Sequence, residues 1–115
     1  MSLRIETVTV DAHDPEALAR WWAELLGSTA APDDDDWVVD AGGVTLLFGA
    51  DPEEKVVKNR VHLDLRPDDR DAEVARAEAL GATRVDIGQG DQTWVVLADP
   101  EGNEFCVLGP LAAGP

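Results

Sequence analysis

The chain has 115 residues, with nine Lys and Arg against 24 Asp and Glu, for a formal net charge of −15. A sequence-independent grip on DNA or RNA needs clustered basic residues that displace counterions from phosphates, so this composition excludes that class and disfavours anionic membranes. No apolar run approaches the roughly 20 residues that cross a bilayer, and the start MSLRIETV has no apolar signal-peptide core, so a cytoplasmic protein is expected. The one cysteine, Cys106, has no internal disulfide partner, which agrees with a reducing compartment. The length suits one domain spanning residues 1–115.

Residues 4–10 (RIETVTV) alternate and are β-branched, which predicts a strand. Asp14, Pro15 and Glu16 form a helix start: an N-cap, a proline at the first helical position and an acid near the positive end of the dipole. Leu18, Trp21, Trp22 and Leu25 then fall on one apolar face, and Gly27 closes the helix. Pro32 to Asp36 sets four adjacent carboxylates side by side, which predicts an exposed loop. Strands follow from Trp37 (WVVDAGG) and over Val44 to Phe48 (VTLLF), and Asp51 to Lys58 is a polar junction.

The second half repeats this order. Arg60 to Arg66 (RVHLDLR) predicts a strand and Asp71 to Leu80 a helix closed by Gly81. Further strands are predicted over Thr83 to Ile87, from Trp94 (WVVLADPEG) and over Glu104 to Leu108, with a loosely ordered tail after it. The helix ends AELLG and AEALG lie 54 residues apart and the two Trp-Val-Val runs 57 apart. Matches in one order argue for duplication: strand, helix and three strands, twice, over about 4–50 and 59–110.

The strand NRVHLDL at Asn59, the helix DAEVARAEALGA, the ending ADPEGNEFCVL and the DPEALARW of the first helix resemble the vicinal oxygen chelate superfamily, and within it the small bacterial glyoxalase-like branch. The superfamily includes glyoxalase I, bleomycin-resistance proteins and extradiol dioxygenases. The resemblance implies an α+β fold in which two βαβββ modules form a curved mixed sheet around a concave pocket, with the helices outside. It also implies a small-molecule ligand and a homodimer. In metal-dependent members each module supplies two ligands to one divalent cation, from its first and last strands.

Strand parity places Val61, Leu63 and Leu65 on one face and His62, Asp64 and Arg66 on the other. In the last strand Phe105 and Val107 share a face, opposite Glu104, Cys106 and Leu108. His62 and Glu104 are thus available together at the two positions the resemblance assigns to ligands, and they are the candidate metal and catalytic residues. The first module lacks such ligands. Thr7, not Glu6, matches His62, and the strand at Val44 offers only Thr45 besides aliphatics; Glu6 or His13 would have to turn inward to help. The ligand set for a divalent metal is therefore incomplete, short of the three protein ligands usual at a catalytic site.

Thr7, Asp64, Arg66, Trp94 and Cys106 are the expected pocket wall. Cys106 also reads as an inert core thiol, and the four tryptophans as core or pocket wall. The reading favoured is a glyoxalase or bleomycin-resistance-like protein that binds a small molecule. The alternatives are a metal-dependent lyase, isomerase or dioxygenase-like enzyme on His62 and Glu104, and an accessory module with no ligand pocket. Glyoxalase I chemistry itself is disfavoured, because it needs the complete ligand set.

Overall fold

The computed structural model describes residues 5–52, 55, 57–86 and 93–109. The chain divides into two compact units, Met1–Glu54 and Lys55–Pro115. In the first, β1 (Thr7–Ala12) leads to α1 (Pro15–Leu26), followed by β2 (Ala30–Asp33), β3 (Asp36–Asp40) and β4 (Thr45–Ala50). The sheet order is β1-β4-β3-β2, with β1 parallel to β4 and the other pairs antiparallel. Helix α1 forms as its caps require: the Asp14 carboxylate accepts the Ala17 N–H at 3.1 Å, Pro15 opens the first turn, and Gly27 ends it at φ 66°. Leu18, Trp22 and Leu25 are buried, as are Val39, Leu46 and Phe48 in the sheet that α1 packs on. Trp21 is half-buried and meets Trp22 edge-on, with ring centroids 5.4 Å apart.

The acidic run is a tight hairpin rather than a loop. Strand β2 extends through Asp33 and β3 begins at Asp36, with Asp34 in the left-handed region at φ 53°. Asp tolerates that conformation better than most residues, and Asp33 on the edge strand β2 and Asp34 and Asp35 in the turn remain exposed, while Asp36 on β3 is half-buried.

The second unit repeats the plan with β5 (Leu63–Leu65), α2 (Arg70–Ala79), β6 (Thr83–Arg84), β7 (Val95–Ala98) and β8 (Glu104–Val107). Its order, β5-β8-β7-β6, has the same directions, so the duplication read from the sequence is present in the topology. The expected strand end at Ile87 and the tail from residue 110 lie outside the described residues. Helix α2 starts one residue early, on Asp69, whose carboxylate accepts the Ala72 N–H at 3.1 Å. Strand β5 is shorter than the sequence implies, because the ladder to β8 begins at Leu63 opposite Phe105. Val61, expected on the apolar face with Leu63, is instead 77% exposed.

Register corrects one expected equivalence. Val10 pairs with Phe48 as Leu65 pairs with Val107, and Trp37 pairs with Phe48 as Val95 pairs with Val107. The counterpart of Trp37 is therefore Val95, not Trp94. A one-residue offset moves a strand side chain to the opposite face. Trp37 accordingly lies on the α1 face, with the Arg20 guanidinium 5.0 Å from its ring centroid, and Trp94 points the other way. No helix among the described residues is long and apolar enough to cross a membrane.

Candidate functional site

Opposite the helix-covered face of the second sheet, polar side chains stand in three rows. Glu104 pairs across to Ala98, with His62 one residue before β5. Asp64 pairs with Cys106, which pairs with Val96. Arg66, Leu108 and Trp94 follow one residue beyond the paired strands.

The middle row draws in His62. Its Nε2 lies 3.1 Å from Asp64 Oδ1, and one donor atom from each of His62, Asp64 and Cys106 falls within 4.8 Å of the others. The His62 and Asp64 side chains are 41% and 50% exposed, whereas Cys106 is buried in β8. Burial pushes the Cys106 thiol up, and the Asp64 carboxylate adds to this by its charge and by accepting a hydrogen bond; Lys58 acts weakly in the other direction. At rest Cys106 is a protonated thiol.

Glu104 is held elsewhere. Lys55 Nζ lies 3.0 Å from one carboxylate oxygen and donates to the other at 3.1 Å, and the Asn59 backbone N–H donates at 3.0 Å. The Asn59 side-chain amide also donates to the Glu104 carbonyl at 3.2 Å, tying the segment before β5 to the start of β8. Burial acts to raise the Glu104 carboxyl, but the Asn59 amide and the Lys55 ammonium outweigh it and hold the group below its ordinary value. Lys55 and Asn59 were not legible as partners of Glu104, since they lie 49 and 45 residues away in the chain.

Arg66 and Trp94 line one cavity of about 780 Å³, with Arg70, Asp68, Thr93 and Leu108 among the other walls. Arg66 donates to the Gly109 carbonyl, and Arg70 donates to the Thr93 carbonyl at 2.7 Å while pairing with Asp71 at 3.0 Å. Asp69 is engaged as the cap of α2. Asp64 and Cys106 lie further along the same sheet face, outside this lining. Thr7 stands in the first unit, opposite Thr45; by register these two threonines are the counterparts of His62 and Glu104.

A family model described as a glyoxalase-like domain matches residues 7–108. The chain belongs to this family. Solved structures agree on the fold. A glyoxalase/bleomycin resistance protein/dioxygenase family enzyme from Burkholderia phytofirmans PsJN aligns with TM-score 0.76 and 21% identity over 92% of this chain and 98% of that one. The oxidase ChaP-H1 aligns with TM-score 0.74 and 24% identity over 98% and 100%. The fosfomycin resistance protein FosX from Mesorhizobium loti aligns with TM-score 0.74 and 15% identity over 96% and 94%. At these identities the likeness speaks for the fold alone. No curated protein matches the chain.

Proposed function

We propose that this glyoxalase-like chain binds a small organic molecule at the cavity walled by Arg66 and Trp94. The observation that carries the reading is that these two side chains, from the ends of different strands, line the same cavity of about 780 Å³. That volume lies in the usual range for ligand pockets, which combine an aromatic wall with a few polar groups. The indole offers a flat surface for a ring. The guanidinium of Arg66 offers donors to oxygen acceptors, and Asp68 can accept from a ligand N–H or hydroxyl. The ligand class that fits is a planar molecule bearing carboxylate or carbonyl oxygens.

In the competing reading, a metal-dependent lyase, isomerase or dioxygenase-like enzyme on His62 and Glu104, the ion would share the Glu104 carboxylate with the Lys55 ammonium, whose positive charge opposes a cation there. Calorimetric titration with a panel of aromatic carboxylates tests the binding reading. Trp94→Ala and Arg66→Met should each weaken the best binder about tenfold or more, the scale of one lost stacking or charge-assisted contact. Wild-type affinity in both variants would sink it. A homodimer in the cytoplasm is the expected setting. Val57 and Val61, 72% and 77% exposed, precede the short edge strand β5 and suit a second copy. Light scattering on the purified chain reads the assembly directly.

A further inference from the structure

We propose that His62, Asp64 and Cys106 form a site for one thiophilic divalent ion, of the Zn(II) or Co(II) class, built entirely within the second unit. It departs from the pair His62 and Glu104 in both membership and chemistry. The ion would be held by one nitrogen, one oxygen and one sulfur, and Glu104 would remain with Lys55 and Asn59. The inference is independent of the cavity at Arg66 and Trp94.

The donor set selects the metal. Thiolate and imidazole favour borderline and soft ions, while Mg(II) and Ca(II) require several oxygens, and only one carboxylate is present here. Charge balances as well: a thiolate and a carboxylate contribute two negative charges against the two positive charges of the ion. Binding releases the thiol proton to solvent and leaves the imidazole neutral, with its proton on Nδ1 when Nε2 coordinates. The Asp64 carboxylate now stands beside both the imidazole nitrogen at 3.1 Å and the thiol of Cys106. An ion would replace the hydrogens that hold this cluster together.

Geometry asks for a small contraction. Metal–ligand bonds of about 2.0–2.3 Å put tetrahedral donor atoms roughly 3.3–3.7 Å apart, against an outer limit of 4.8 Å among the three donor atoms in the structure. His62 and Asp64, half in water, can close that gap by side-chain rotation while Cys106 stays fixed in its strand. Three protein donors leave a fourth position for water or a ligand atom, the open arrangement of catalytic zinc sites. The first unit cannot do the same, since the counterparts of His62, Asp64 and Cys106 are Thr7, Thr9 and Leu47.

Co(II) titrated into the EDTA-stripped full chain provides the test. One equivalent should bind and produce a thiolate-to-cobalt charge-transfer band in the near ultraviolet, which Zn(II) then bleaches. Cys106→Ser should abolish the band. Asp64→Asn, at an exposed position that does not endanger folding, should weaken cobalt binding by about tenfold or more, at least the loss seen when a metal ligand's supporting partner is removed. Glu104→Gln, confirmed as folded by circular dichroism, should retain the band. Absence of the band in the wild type, its persistence in Cys106→Ser, unchanged affinity in Asp64→Asn, or its loss in folded Glu104→Gln would each overturn the assignment.

Discussion

Replacing Glu104 by Ala removes the acceptor for the Lys55 ammonium and the Asn59 N–H together. The Glu104 and Lys55 side chains are only 10% and 20% exposed, so water recovers little of either bond. Hydrogen bonds to a charged group contribute about 1.5–3 kcal/mol each. Lys55 can swing its ammonium back into water, which discounts its share, and the net expectation is a loss of about 2–4 kcal/mol. Glu104→Gln keeps an oxygen for the Asn59 N–H and should lose about half as much. Urea denaturation in EDTA at neutral pH measures both. The pH dependence follows from the lowered carboxyl of Glu104. A group whose folded value lies below its unfolded one stabilises fully above the unfolded value, and that contribution is lost as pH falls through the folded value. The gap between wild type and Glu104→Gln should thus be constant near neutrality, begin to narrow at about pH 4, the ordinary carboxylate range, and close only once pH lies below the lowered value of the folded state. A gap that does not narrow at all as pH falls through the acid range, or a Glu104→Ala loss under about 0.5 kcal/mol, the scale of an ordinary surface substitution, would refute the role assigned to this carboxylate.

Asp99→Ala should cost about 2–4 kcal/mol in the same assay, because the carboxylate of Asp99, a residue 4% exposed, accepts the N–H groups of Glu101 and Asn103 at 2.9 and 3.0 Å and its removal leaves those donors unpaired. Asp99→Asn should recover most of that stability. Gly27→Ala meets no atom within 4 Å of the added carbon, so its cost of about 1 kcal/mol should come from the left-handed backbone alone. Asp69→Ala, read by thermal melting, should destabilise by about 1 kcal/mol through loss of the α2 cap.

Helices and duplication were the legible part of this fold. Asp14, Pro15 and Gly27 act locally, within one turn of the backbone they cap, so their meaning can be read from neighbours in the chain. Parity likewise separated Leu63 and Leu65 from His62 and Asp64 without knowledge of the partner strands. The length of β5 was not legible, because it depends on where β8 begins to pair. The hairpin at Asp34 was hidden by charge: four adjacent carboxylates resemble a solvated loop, yet only Asp34 and Asp35 form the turn, with Asp33 and Asp36 paired across it in β2 and β3. The match of two Trp-Val-Val runs concealed a shift of one residue that only cross-strand register reveals. At the site, His62 and Glu104 were readable as available groups. The attachment of His62 to Asp64, two residues on and on the same face, is local and within reach of parity; that of Glu104 to Lys55 and Asn59, 49 and 45 residues away, is not.

The pairing of Thr7 with Thr45, and of Thr9 with Leu47, makes the first sheet an internal blank for the second. It has the same strand order and the same parallel ladder, but Thr7, Thr9 and Leu47 stand where His62, Asp64 and Cys106 stand in the second unit. Transplantation is therefore a defined operation: Thr7→His, Thr9→Asp and Leu47→Cys would copy the second unit's donors onto a backbone already arranged to receive them. At these donor positions three substitutions separate the two units.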